Sequence, residues 1–369
     1  MKEIISIVHA YNSIDFSSTR AVLATVARVE GSSYRRTGAR MLVLDNGNYL
    51  GGISGGCLEG DALRRAQKAM VLNKPSIVTY DTTEDDSQQV GIGLGCNGII
   101  DVLFTPLDPV NLNNPVRLLS GLTTTRMPRA VVSITDCDNT LNALGKTLLF
   151  ENEQQFISSF HENTFAAAVG KDVANCLADE TSRTITYTHG LQTIKVFIEI
   201  IVPVTRLIVY GSNYDIYPLI RVTRELGWEV NVVTNISKAD KALFSLASKV
   251  IPLDKTGDLI ADHYTAIILM AHDYNTDFDN LQKVLPNTAS YIGLLGPRKR
   301  AQKMFDHLSG EGRGISKEDE RRIFAPAGLD IGATTPEEIA LSIAAEIRSH
   351  FAGRNGMSLR LRRETIYGD

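Results

Sequence analysis

At Ile201-Val202-Pro203-Val204 the chain changes its pattern, and this break constrains the fold more than any other feature. After it, short apolar runs alternate with helical stretches. Arg206 to Tyr210 reads as a strand ending at Gly211, followed by a helix from about Tyr217 to Gly227 and a second strand, Glu229 to Thr234. Ala266 to Met270 (AIILM) and Tyr291 to Leu295 (YIGLL) are continuous apolar runs, the signature of strands buried on both faces. Strands alternating with helices require a parallel sheet with right-handed crossovers. Residues 203–350 are therefore expected to form a Rossmann-like domain. The remainder, 351–369, is rich in Arg and Gly and is expected to be a mobile tail.

The first 202 residues read differently. Ile4, Ile5, Val8 and Tyr11 fall at helical spacing. Ala21 to Val29 and Ala39 to Leu44 read as strands, and Asn46-Gly47 signals a type I′ turn that returns Asn48 to Gly52 antiparallel. A glycine-rich loop then leads into a helix from about Leu58 to Asn73, closed by Pro75, and Ser76 to Tyr80 is a further strand. Related segments recur about 107 to 109 residues later: RAVLATV at Arg20 with RAVVSIT at Arg129, GARMLVL at Gly38 with GKTLLFE at Gly145, and SIVTYD at Ser76 with RTITYT at Arg183. The expected fold class is thus α/β. An N-terminal α/β domain, 1–202, carries an internal duplication (18–106 and 127–200), and the C-terminal Rossmann-like parallel-sheet domain follows it.

The densest chemical signal is Gly51-Gly52-Ile53-Ser54-Gly55-Gly56-Cys57-Leu58-Glu59-Gly60. Glycines packed this closely let backbone N–H groups converge on an anion and let a ligand approach the main chain. The helix that follows presents its positive end to the same place. Cys57 sits at that junction, a seat that favours the thiolate as nucleophile or soft metal ligand. Glu59 follows in the first turn, as a candidate catalytic partner or as a complement to the helix dipole. A second thiol is wrapped the same way in Gly91-Ile92-Gly93-Leu94-Gly95-Cys96-Asn97-Gly98, and two such loops face one pocket if they meet at one sheet edge. Cys137 and Cys176 lack this setting. None of the four cysteines pairs as CxxC, so free thiols in a reducing compartment are expected and a structural zinc site is not.

Three further candidates lie at turns of the Rossmann-like half. His272, in Ala271-His272-Asp273-Tyr274, falls at the carboxyl end of the AIILM strand, where open parallel sheets bind ligands. Arg298 opens a basic helix start after Gly296-Pro297, a placement that asks for an anion. Asp330, in Gly328-Leu329-Asp330-Ile331-Gly332, precedes the capping box Thr335-Pro336-Glu337-Glu338. With 38 basic against 42 acidic residues, the net charge of −4 offers no field for a phosphate backbone, so nucleic acid is not an expected partner. The first residues lack a signal-peptide core, and no run approaches the roughly 18 apolar residues of a membrane span, so a cytoplasmic protein is expected.

The ordered motifs EGSSYRRTGARMLV, GGISGGCLEG, LGCNGIIDVLF, AHDYNTDFDNL, YIGLLGPRKR and APAGLDIGATTPEEIALSIAAEI, spread from Glu30 to Ile347, resemble the XdhC/CoxI family of xanthine dehydrogenase accessory factors. The resemblance implies a chaperone that binds molybdenum cofactor transiently. It also implies exchange of an oxo ligand for sulfur with a cysteine desulfurase, and transfer of the cofactor to an apo molybdenum hydroxylase. It maps the family's cysteine onto Cys57, as a molybdenum contact, and implies a homodimer for some members. Gly55, Gly56, Cys57, Cys96, Gly211, His272, Arg298 and Asp330 are the cofactor-binding candidates. The chain departs from the family at Gly211-Ser212-Asn213-Tyr214-Asp215-Ile216, where a Gly-x-Gly turn is usual. Asn235 stands where a ribose-binding acid is expected, which argues against NAD(P) bound in the usual manner. The competing reading is an NAD(P)-dependent oxidoreductase or a xanthine dehydrogenase-associated subunit that uses the Rossmann half. A regulatory module that has lost its chemistry is a third.

Overall fold

The computed structural model describes residues 1–81, 98–138, 143–160, 163–259, 261–363 and 366. The chain divides into two compact units, Met1–Pro203 and Val204–Asp369.

The first unit contains α1 (Lys2–Asn12), β1 (Ala21–Gly31), β2 (Arg40–Leu44), β3 (Tyr49–Gly51), α2 (Glu59–Leu72), β4 (Ser76–Asp81), β5 (Gly98–Pro106) and α3 (Pro115–Leu122). It continues with β6 (Arg129–Cys137), β7 (Thr147–Phe150), α4 (Glu153–Ser159), α5 (Asn163–Asp179), β8 (Arg183–His189) and β9 (Gln192–Ile201). The strands form two antiparallel sheets, ordered β3-β2-β1-β5-β4 and β7-β6-β9-β8. In the first, α2 lays Ala62, Ala66 and Ala69 against Val22, Met41, Val102 and Phe104. Alanines let the helix approach the sheet closely. Each large buried apolar side chain in this layer contributes about 1.5–3 kcal/mol.

The hairpin between β2 and β3 forms, but not through a type I′ turn. Only Gly47 has a positive φ, +85°, while Asn46 does not. Gly47 N donates to Leu44 O (3.0 Å), and Leu44 N donates to Asn48 O (2.9 Å). This is a type I turn closed by a left-handed glycine, a three-residue alternative that one glycine suffices to build.

The two sheets share one connectivity. β1 pairs with β2 and β5 as β6 pairs with β7 and β9, and in each case the central pair shifts register once, between Val26 and Arg28 and between Ile134 and Asp136. The same two hydrogen bonds recur: Val26 N to Ala39 O and Gly38 N to Val26 O, against Ile134 N to Lys146 O and Gly145 N to Ile134 O.

The second unit contains β10 (Arg206–Tyr210), α6 (Ile216–Glu225), β11 (Glu229–Thr234), α7 (Lys241–Leu246), β12 (Lys249–Pro252), β13 (Thr265–Leu269) and α8 (Tyr274–Val284). After these come β14 (Tyr291–Leu294), α9 (Arg298–Gly310), α10 (Lys317–Arg322), β15 (Ile323–Phe324) and α11 (Pro336–Phe351). Its six-stranded sheet runs β12-β11-β10-β13-β14-β15 with every pair parallel, the Rossmann order. Both faces are covered, which is why the strands read as unbroken apolar runs. Val209, Val232 and Ile268 pack with α6 and α11, while Ile208, Ile267 and Leu269 pack with α8 and α9. The capping box at the start of α11 is complete: Thr335 Oγ1 accepts from Glu338 N, and the Glu338 carboxylate accepts from Thr335 N at 2.9 Å. Among the described residues, no helix is long and apolar enough to cross a membrane.

Candidate functional site

The strands of the first sheet bring several loops to one edge. Gly31 at the end of β1 pairs with Gly98 at the start of β5, Asp81 at the end of β4 pairs with Ile99, and Gly51 at the end of β3 pairs with Met41 near the start of β2. Cys57 follows β3 at this edge. Cys96 and the acidic stretch Glu84-Asp85-Asp86 lie outside the described residues, between Asp81 and Gly98.

The Cys57 loop is held from within by Glu59. Its carboxylate accepts from Ser54 N at 2.9 Å and from Ser54 Oγ, and the same hydroxyl oxygen accepts from Gly56 N (3.2 Å) and Leu58 N (3.0 Å). Burial opposes the Glu59 charge, but the bonds from Ser54 and from the backbone N–H groups of Glu59 and Ile53 outweigh it. The carboxyl is held below its usual range. Ile53 and Leu58 anchor the two ends of the loop in the core, and Gly55 and Gly56 remain exposed. Gly56 has φ +112°, a conformation that favours glycine. Cys57 is half-buried and, like Val29 and Leu63, packs against the core of the first sheet.

The segment after β1 completes the edge. A side chain at Gly55 would meet the Tyr34 ring at 3.3 Å, and one at Gly98 would meet Ser32 O at 2.6 Å. The stretch Ser32–Tyr34 therefore lies between the Cys57 loop and the start of β5. Ser33 is 3% exposed, yet among the described residues its Oγ has no hydrogen-bond partner. An unsatisfied buried hydroxyl costs about 1–3 kcal/mol, which a ligand acceptor would recover. Nothing in the sequence pattern singles out Ser33.

In the second unit the connections from β10 and β13 leave in opposite directions, so the switch point of the sheet lies between their carboxyl ends. His272 stands there, and its Nε2 lies 2.5 Å from Asp215 Oδ2. Its backbone is left-handed, φ +63°, a strained conformation for a non-glycine residue. Among the described residues, the buried Asp215 Oδ1 has no partner. Gly211 is required, because a Cβ there would lie 2.9 Å from Met270 O. Asn213 and the fully buried Ile216 occupy the positions where the usual turn has glycines, and Asp215 puts a carboxylate at the start of α6, where pyrophosphate would bind.

The basic helix start is partly answered by the protein itself. Arg300 turns inward to Asp277 (2.7 Å), which also accepts from Ala271 N at 2.9 Å. Burial pushes the Asp277 carboxyl up, and these two donors offset part of that shift. Arg298 is exposed. Asp330 is exposed in a turn docked on α11 through Gly328 N to the Glu346 carboxylate (2.7 Å) and Ser342 Oγ to Leu329 O (2.6 Å). Among the described residues, no three His, Cys, Asp or Glu side chains cluster to hold a metal.

A family model for the "XdhC and CoxI family" matches residues 17–81, and one for the "XdhC Rossmann domain" matches residues 207–347. The chain is 30% identical over 334 residues to a Bacillus subtilis protein named as a probable xanthine dehydrogenase subunit, covering 89% of this chain and 92% of the relative. It is 25% identical over 337 residues to "Molybdenum cofactor insertion chaperone PaoD" of Escherichia coli, covering 90% and 84%. A crystal structure described as a xanthine dehydrogenase from Bacillus halodurans superposes with a TM-score of 0.72 at 26% identity, over 96% of this chain and 97% of that one. With both of its halves matched and full-length relatives on this scale, the chain belongs to the XdhC and CoxI family.

Proposed function

We propose that this chain is a maturation factor that takes molybdenum cofactor as cargo at the Cys57 edge and delivers it to an apo hydroxylase of the xanthine dehydrogenase type. The observation that carries this reading is the Cys57 loop: a half-exposed thiol behind two exposed glycines, kept open by the buried Ser54–Glu59 pair. The edge suits the cargo. Cys57 offers a soft donor for molybdenum, Gly55 a backbone N–H and Gly56 a bare backbone at close approach, and Ser33 a hydroxyl without a partner among the described residues. Glu59 serves as the brace of the loop, since its oxygens are committed to Ser54. When bound, the cofactor supplies the molybdenum centre of the client enzyme. What this chain supplies is orientation, a thiol contact and exclusion of bulk water on the core side of the loop. Sulfuration with a cysteine desulfurase and a homodimeric assembly are the finer parts of the same proposal.

The relative named as a molybdenum cofactor insertion chaperone supports this reading. The turn after β10 weighs against the oxidoreductase alternative, because a carboxylate at the start of α6 repels a dinucleotide pyrophosphate. The test is Cys57→Ala in cells that make the cofactor. The variant is expected to fold normally and to copurify with at least roughly tenfold less molybdenum and pterin than wild type, about 1.4 kcal/mol of lost binding. Equal retention by fluorescence and metal analysis would remove Cys57 from the site.

A further inference from the structure

We propose that Tyr34 is the platform on which the cargo's flat pterin ring lies, a positioning contact that rests on the maturation-factor reading above. The glycines of the Cys57 loop answer different demands. Gly51 and Gly56 hold φ +84° and +112°, conformations that favour glycine. A side chain at Gly52 would meet the Glu59 carboxylate at 3.1 Å, so that glycine admits the brace. The backbone at Gly55 is not left-handed, and the three atoms nearest a Cβ there all belong to Tyr34: Cγ at 3.3 Å, Cδ1 at 3.4 Å and Cβ at 3.6 Å. Gly55 therefore makes room for the tyrosine ring.

A ring given a glycine seat would ordinarily serve the core. Tyr34 does not, because it is 68% exposed. Its neighbours in the chain are committed: Ser33 is buried, and Arg35 is paired with Glu3. Of these three residues only Tyr34 presents its side chain to the open edge. With one side of the ring on Gly55, the opposite face is left to solvent.

An aromatic face held on a rigid seat is a stacking surface for a planar heterocycle. Stacking needs no matching pattern of donors and acceptors, so one exposed ring suffices. The spacing suits the cargo. Gly55 and Cys57 are two residues apart, so their Cα atoms lie within about 7.6 Å of each other. A molecule that carries a metal and a fused planar ring can reach both, with its metal end at the thiol and its ring on Tyr34. The two contacts are chemically separate, because stacking does not require the metal.

The test exploits that separation. The full-length protein is purified from cells grown with molybdate and from cells starved of it, which make the pterin without its metal. Bound pterin is read by its fluorescence. Tyr34→Ala is expected to retain roughly tenfold less pterin than wild type in both growths, about 1.4 kcal/mol of lost binding, at an unchanged urea midpoint. Tyr34→Phe is expected to match wild type, and Tyr34→Leu, which keeps apolar bulk without a π-face, to behave as Tyr34→Ala. Cys57→Ala is expected to lower retention only where molybdate is supplied. Where wild type is loaded, equal retention in Tyr34→Leu and Tyr34→Phe overturns the platform and leaves the role of Cys57 standing. That comparison also decides the matter should Tyr34→Ala fold poorly. Wild type without pterin in either growth overturns the maturation-factor reading, and the platform with it.

Discussion

The turn after β3 and the turn after β10 share one plan, a strand running through glycine into a helix, yet they end in opposite states. After β3 the acid of the first helical turn, Glu59, is folded under the loop and bound by Ser54, and Gly55 and Gly56 stay exposed beside a half-exposed thiol. After β10 the acid at the helix start, Asp215, reaches across the switch point to His272, and Asn213 and Ile216 stand where glycines would leave room. The difference teaches that the element alone confers no site. On the proposed function, a strand–turn–helix junction is open to a ligand where its own carboxylate is turned inward and its backbone is left bare. It is occupied by its own side chains where neither holds.

The comparison breaks first if Glu59 is not the brace. Glu59→Ala strands the buried Ser54 hydroxyl and the N–H groups of Ser54, Glu59 and Ile53 and is expected to cost about 3 kcal/mol, read as a lower urea midpoint at unchanged m-value. Because the folded-state carboxyl is held below its usual range, its contribution is present above the unfolded-state pKa and is lost as pH falls through the lowered folded-state value. Glu59→Gln should therefore flatten the acid limb of the stability profile. A variant with the same acid limb as wild type would show that the charge is not what holds the loop.

Next in size come the two glycines. Gly211→Ala drives a Cβ to 2.9 Å from Met270 O, a backbone atom that cannot turn away, and is expected to cost about 2 kcal/mol. Gly56→Ala meets nothing within 4 Å but is held at φ +112°, and is expected to cost about 1 kcal/mol. The order matters: Gly211 serves packing, whereas Gly56 serves backbone conformation at an open surface. A Gly56 variant costlier than the Gly211 variant would reverse that assignment.

Local chemistry is what the sequence made legible. Strand runs such as Ala266–Met270, the Thr335–Glu338 capping box and the seat of Cys57 between a strand and a helix all depend on neighbours a few residues apart. The parallel sheet after Pro203 follows from the pattern break there. The contacts that finish the sites join distant positions: Asp215 with His272 across 57 residues, and Arg40 with Glu199 across 159. Periodicity carries no trace of such pairs. Ser33 is invisible for a related reason, since what marks it is a buried hydroxyl without a partner among the described residues. At Asn46-Gly47 the dipeptide permits two turns, and only the register between β2 and β3 selects one.

The smallest expected effect bears on the other junction. His272 holds a left-handed backbone that costs an L-residue about 1–2 kcal/mol, and glycine at that position would relieve it. His272→Gly also removes the pair with Asp215. With the imidazole half-exposed, that pair contributes about 0–1 kcal/mol. The two terms nearly cancel, so the variant is expected to lie within about 1 kcal/mol of wild type, on the neutral or stabilising side, by urea unfolding. Asp215→Ala loses the pair without relieving the backbone, and it should be the less stable of the two. That ordering would mean the strain at the switch point is carried for something other than stability. A loss of more than about 2 kcal/mol in His272→Gly would instead make the imidazole a structural plug, and the junction after β10 a closed turn whose side chains serve only to fill it.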